Sequence, residues 1–120
     1  MRKNFLMGVL LGAALQMGWA QDVAQGKIQF QACESCHQVE AGALALGPSL
    51  HGVVGRNAAA VPGYRYSPAL KKSQIVWTPE SLDRFLADPQ AMVPGNRMPY
   101  SGLPDPVDRA NLIAYLNSLP

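Results

Sequence analysis

Beyond an apolar N-terminal stretch, the hydrophobic positions of this chain gather into three short bursts of helical spacing, separated by segments crowded with proline and glycine. The first, Asp22 to Ala32, opens on an acidic residue suited to a helix N-terminus and carries Val23, Lys27 and Phe30-Gln31 at helical intervals. In the second, Thr78-Pro79-Glu80-Ser81 supplies an N-cap threonine, a proline at the first helical position and a glutamate after it. Leu82, Phe85 and Leu86 then form an apolar stripe, and Asp88-Pro89 stops the helix. The third runs from about Pro106 to Ser118 and places Leu112, Ile113, Leu116 and Leu119 on one face, a stripe that reads as core packing.

Between the first two bursts, Val39 to Tyr66 holds Gly42, Gly47-Pro48, Gly52, Gly55 and Pro62-Gly63, a density of breakers that excludes a long regular element. Ile75-Val76-Trp77 is the one β-like run, too short to found a sheet. There are no internal repeats. The pattern is therefore all-α, with short helices and long ordered loops.

Composition changes this picture at the N-terminus. Arg2 and Lys3 precede an apolar run from Phe5 to Leu15, and Gly18-Trp19-Ala20 puts small residues at the cleavage-determining positions. That is the pattern of a secretory signal peptide over residues 1–20, leaving 21–120 as one domain. The alternative, an uncleaved anchor, is disfavoured because Gln16 breaks an apolar core already shorter than the roughly 20 residues of a spanning helix. No cysteine lies near the cleavage point, so a lipoprotein is not indicated.

The formal charge of +2 belongs to the discarded segment: without Arg2 and Lys3, eight basic residues face eight acidic ones. With no basic block and no aromatics interleaved with cations, nucleic acid is not an expected partner. A domain this small, with ten prolines and eleven glycines in the whole chain, gains from an internal staple.

Cys33-Glu34-Ser35-Cys36-His37 supplies the candidate. Two cysteines two residues apart, followed at once by histidine, read as a c-type haem attachment site. Both sulfurs must reach the vinyl groups along one porphyrin edge while the adjacent imidazole turns under the ring to meet iron. A zinc site would need about two more soft ligands, but the only other histidine is His51 and there is no third cysteine. A thioredoxin-like pair would sit in a βαβ context that is missing here. A structural disulfide is the remaining bland alternative. A buried haem would also give the 39–66 loop a surface to pack on.

An iron bound by His37 needs a sixth ligand or an open position, and Met98, Met92 and His51 are the candidates. Met98 lies in Val93-Pro94-Gly95-Asn96-Arg97-Met98-Pro99-Tyr100, where two prolines and a glycine restrict a non-helical loop. Such a loop can present a thioether, a weak ligand, without collapse. Met92 follows the helix stop closely and has no such frame, while His51 sits in the loop on the side His37 already serves. Met98 is the stronger candidate, with an open or otherwise ligated iron as the alternative.

Taken together, Gly26-Lys27 and Phe30, Gly47-Pro48-Ser49-Leu50-His51-Gly52-Val53-Val54-Gly55-Arg56, Pro62-Gly63-Tyr64-Arg65-Tyr66, Trp77, Pro94-Gly95-Asn96-Arg97-Met98 and Leu112-Ile113-Ala114-Tyr115-Leu116 resemble the monohaem class I cytochromes c, mitochondrial-like and short bacterial periplasmic forms alike. The resemblance covers nearly all of residues 21–120. It implies an all-α fold of three to five short helices around one covalent haem c, with Gly26 and Phe30 of the first helix crossing Leu112 and Tyr115 of the last. It further implies that Cys33 and Cys36 carry the haem, that His37 and Met98 bind iron, and that the Pro48 carbonyl accepts a hydrogen bond from the His37 imidazole. Arg56, Tyr66, Trp77 and Asn96 match positions that hydrogen-bond the haem propionates, which must be paired once taken from water.

Several positions depart from the mitochondrial pattern. Phe85 stands in place of a tyrosine near the methionine sulfur, Leu70 in place of a buried asparagine, and Leu44 where a histidine bridges two loops. Gln90, Ala91, Pro104 and Asp105 occupy places where mitochondrial forms put lysines, leaving Arg97 as the cation near the exposed edge. The implied function is a periplasmic one-electron carrier, not an enzyme, acting as a monomer between redox proteins such as an oxidase, a reductase complex or a dehydrogenase, with no small-molecule substrate. The competing class is a haem peroxidase or ligand-binding haem sensor with a labile or open sixth site.

Overall fold

A computed structural model describes residues 21–120, so the predicted signal peptide lies outside the described residues. The described chain forms five helices: α1, Val23–Phe30; α2, Pro68–Lys72; α3, Pro79–Ala87; α4, Pro89–Met92; and α5, Pro106–Ser118. Among the described residues there is no strand, and Ile75-Val76-Trp77 contributes only an isolated bridge between Val76 and Asn57. No helix among them is long and apolar enough to cross a membrane.

Each predicted helix starts where its cap lies. The Asp22 side chain accepts from Gln25 N–H to open α1. Thr78 and Ser81 exchange side-chain-to-backbone bonds at the start of α3, closing a capping box with serine in place of the usual acidic or amide partner. Asp105 accepts from Val107 and Asp108 N–H at the start of α5, so orphan amides of the first turn are satisfied. The first helix ends at Phe30, two residues short of the predicted end, because the chain turns from Gln31 through Cys36 into the cysteine pair.

The core forms where α1 crosses α5. Phe30 and Leu112, each 2% exposed, meet there with Ile113 and Leu116, and the Phe30 and Tyr115 rings pack with centroids 5.2 Å apart. Gly26 permits the approach: a Cβ there would overlap the Asn111 carbonyl and come within 2.8 Å of Tyr115 Cβ. Asn111 also accepts a 2.9 Å hydrogen bond from Asp22 N–H, tying the start of α1 to the middle of α5.

The buried stripe of α3, Leu82, Phe85 and Leu86, extends this core. Phe85 packs against Trp77 with the rings tilted by 58° and their centroids 4.9 Å apart. Outside the core, Arg109 of α5 joins the elements by pairing with Asp83 of α3 at 2.8 Å and donating to the carbonyls of Leu103 and Pro104.

Two elements were not foreseen. Ser67 caps the single turn α2, and α4 follows α3 immediately because Asp88 ends one helix and caps the other through Ala91 N–H. Met92, expected to lie in an unframed segment, instead ends a hydrogen-bonded turn and packs against the core.

Candidate functional site

The turn after α1 brings Cys33, Cys36 and His37 together: His37 N–H and Cys36 N–H both donate to the Cys33 carbonyl, at 2.9 and 3.1 Å. Both cysteines are free and half-buried. Burial pushes the Cys33 thiol above its usual pKa, and the neighbouring Cys36 and then Glu34 add to that effect.

The His37 imidazole is oriented from the loop. Its Nδ1–H donates to the Pro48 carbonyl at 2.7 Å, which leaves Nε2 as the available ring nitrogen. Gly47 lies flat against the ring, where a Cβ would come within 2.6 Å of His37 Cε1. Any side chain at Gly47 would displace the imidazole. Burial lowers the His37 pKa, the Pro48 bond opposes this, and nearby Arg56 lowers it further. The result favours a neutral imidazole with a free lone pair, the form a metal requires.

Behind Pro48 the loop is braced by buried polar groups. Ser49, 2% exposed, donates to the Glu40 carbonyl and accepts from His51 N–H. Arg56 donates to the carbonyls of His51 and Ser49 at 2.7 and 2.9 Å. Backbone bonds from Gly55 N–H to the Trp77 carbonyl and from Trp77 N–H to the Arg56 carbonyl then attach this loop to the segment entering α3. Tyr66 accepts from Val61 N–H, so its hydroxyl hydrogen remains free to donate. Burial lowers the Arg56 pKa and nearby Tyr66 opposes the change. Pro48, Arg56, Tyr66 and Trp77 therefore belong to one connected wall with His37.

Met98 and Asn96 belong to a second wall. Met98 is half-buried and packs on the core, and its N–H donates to Asn96 Oδ1 at 3.0 Å. Burial raises the phenol pKa of Tyr100, two residues on, and nearby Cys33 is the second cause. The Asn96 side chain is fully engaged within this loop. Both hydrogens of its amide go to the carbonyls of Pro89 and Val93, at 3.0 and 2.9 Å, because the 89–98 segment closes back on itself. Its side chain organises the Met98 loop.

Three contributors escaped the sequence reading: Ser49, Tyr100 and Gln90. For Gln90 a signal existed, since Gln90 and Asn96 are two amides flanking a Pro-Gly turn. Glutamine, however, is as readily explained as a solvated surface residue.

The residues fit a covalently held haem. Two unjoined thiols stand at the attachment spacing beside an imidazole already turned by its carbonyl partner, with a glycine cradle against its face. A small all-helical domain with this motif defines a haem-bearing electron-transfer module. Residues 23–120 match the Cytochrome c family, and the chain belongs to it. It is 50% identical over 99 residues to cytochrome c2 of Rhodopila globiformis, covering 82% of this chain and 93% of that one. It is 49% identical over 100 residues to the c-type cytochrome cy of Rhodobacter capsulatus, covering 82% of this chain but about half (50%) of that longer protein. The structure of cytochrome cH from Methylobacterium extorquens superposes with a TM-score of 0.78 at 42% identity, covering 81% of this chain and 98% of that one. The fold is that of class I cytochromes c, the cofactor is haem c, and the protein carries electrons rather than catalysing a reaction.

Proposed function

We propose that this protein is a periplasmic one-electron carrier whose haem iron is bound by His37 and Met98 and whose haem is linked through Cys33 and Cys36. The observation that carries this reading is the 2.7 Å bond from His37 Nδ1 to the Pro48 carbonyl beside two free cysteines. That bond selects the tautomer, holds the ring and makes Nε2 more basic. Haem c supplies a reversible one-electron iron couple. The chain's part is to hold that couple in one geometry: the imidazole from one wall, a thioether from the other, and Arg56, Tyr66 and Trp77 as donors for the propionates. A methionine ligand in a mostly apolar pocket favours the ferrous state and a high potential.

Export by residues 1–20 fits this assignment, because bacterial haem attachment takes place in the periplasm. The partners are redox proteins, and the surface suits contacts with little charge. Leu46 is 78% and Leu44 56% exposed in a loop, Ala41–Leu46, that carries no charge, and Gln90, Ala91 and Asp105 are exposed where lysines would make a basic ring.

The test is optical spectroscopy of ferric holoprotein with a haemochrome assay. Haem should stay on the polypeptide in denaturing gels, and extraction by acidified organic solvent would overturn the thioether linkage. Met98→Ala should remove the weak red-edge band of sulfur ligation and open the iron to cyanide, Met98→His should restore a closed iron at a lower potential, and Met92→Ala should keep the sulfur signature. If Met92→Ala is the variant that loses it, the assignment of Met98 fails. An iron already open in the unmodified protein would favour a peroxidase or sensor.

A further inference from the structure

The loop that presents Met98 is closed by a side chain that the haem-binding motifs do not include. Gln90 is exposed on the first turn of α4, and its amide reaches across six residues. Its Nε2 donates to the Asn96 carbonyl at 2.9 Å, and its Oε1 accepts from Gly95 N–H at 3.3 Å. The two ends of one amide thus grip two consecutive residues at the turn, where Gly95 takes φ +88°.

Asn96 completes the frame from inside. Its backbone carbonyl is held by Gln90, its side-chain amide by Pro89 and Val93, and its side-chain carbonyl holds Met98 N–H at 3.0 Å. Backbone bonds from Val93 N–H to the Pro89 carbonyl and from Asn96 N–H to the Val93 carbonyl close the rest. The path from the Met98 backbone to α4 therefore runs through Asn96, and Gln90 is the outer brace of that residue.

We propose that Gln90 is a positioning residue for the iron ligand: its two-point clamp on Gly95 and Asn96 sets how often the Met98 loop swings away and opens the sixth site. The proposal rests on Met98 being that ligand. The clamp touches neither the haem-attachment turn nor the α1–α5 core, so its loss frees the loop while the domain stays folded. A solvent-facing amide contributes modestly per bond, but two bonds converge on one turn and both break in the same motion. Their combined loss corresponds to roughly a tenfold to hundredfold rise in opening.

The experiment follows imidazole binding to ferric holoprotein by stopped flow. At saturating imidazole the rate levels off at the rate of Met98 departure, and guanidinium denaturation of the same samples reports global stability. Gln90→Met keeps the length and volume of the side chain and removes both hydrogen bonds. Gln25→Met, an equivalent change on the exposed face of α1, serves as the control. Met98→Ala reports whether the slow step belongs to Met98 at all.

The expected result is a plateau rate at least about tenfold higher in Gln90→Met, with a denaturation midpoint matching Gln25→Met and no slow step in Met98→Ala. An unchanged plateau in Gln90→Met, with Met98→Ala fully open, overturns the clamp and leaves Met98 ligation standing. A rise matched by an equal loss of global stability also overturns it, since Gln90 would then be merely structural. A slow step that survives in Met98→Ala overturns the ligand assignment and the clamp with it.

Discussion

The α1–α5 crossing and the loop that carries Met98 are held by different balances of forces. At the crossing, Phe30, Leu112, Ile113 and Leu116 are buried by shape, and Gly26 contributes by having no side chain. In the 89–98 loop Pro89 and Val93 are also buried, but two amide side chains, Gln90 and Asn96, add five hydrogen bonds. Hydrophobic burial is non-directional and scales with area, so it decides whether the domain folds. Hydrogen bonds are directional, so they decide where one sulfur atom sits. The domain thus separates stability from ligand placement, and substitutions in the two regions should register in different measurements.

The largest effect is expected at the crossing. Leu112→Ala should cost about 2–5 kcal/mol of unfolding free energy in denaturant titrations, with the folded protein's ferric spectrum unchanged. A loss of the red-edge band under folding conditions would mean that the regions are not separate. Gly26→Ala should follow at about 1–3 kcal/mol, because the Asn111 carbonyl it would strike is helix backbone and cannot swing aside.

Asn96→Ala leaves the Met98 N–H without its partner and takes one of two donors from each of the Pro89 and Val93 carbonyls, a penalty of about 1–3 kcal/mol. This should appear as faster ligand entry to the iron, with a denaturation midpoint shifted far less than by Leu112→Ala. Equal shifts in both measurements would erase the distinction. Smallest of all should be the response to salt. Electron-transfer rates with the native partner should fall only mildly from low to physiological ionic strength, since an uncharged loop and a neutral domain offer few charges to screen. A steep fall would identify a charged patch.

The same division explains what could be read in advance. Caps marked α1 and α3 and periodicity marked α5, because Asp22 and Thr78 begin the first two and Leu112, Ile113 and Leu116 recur at helical spacing in the last. The cysteine turn was legible because covalent chemistry permits one spacing. The single turns α2 and α4 were not, since four or five residues hold no period and Asp88-Pro89 reads equally well as a stop or a start. The bonds of the Asn96 amide to the carbonyls of Pro89 and Val93 were not legible. An amide can serve many acceptors, and only the closing of the 89–98 loop brings these two carbonyls to it. Gln90 looked like a missing lysine until its two bonds were in view.

The bond between Asp22 N–H and Asn111 joins residues 89 apart in the chain. A polypeptide delivered from its N-terminus makes α1 first and its helical partner last, so the first helix has nothing to cross until residues beyond 110 have arrived. Throughout that interval the cysteine turn, which follows α1 directly, is unshielded by the finished core. Arrival of the final helix completes the core on which Cys33 packs in the finished domain.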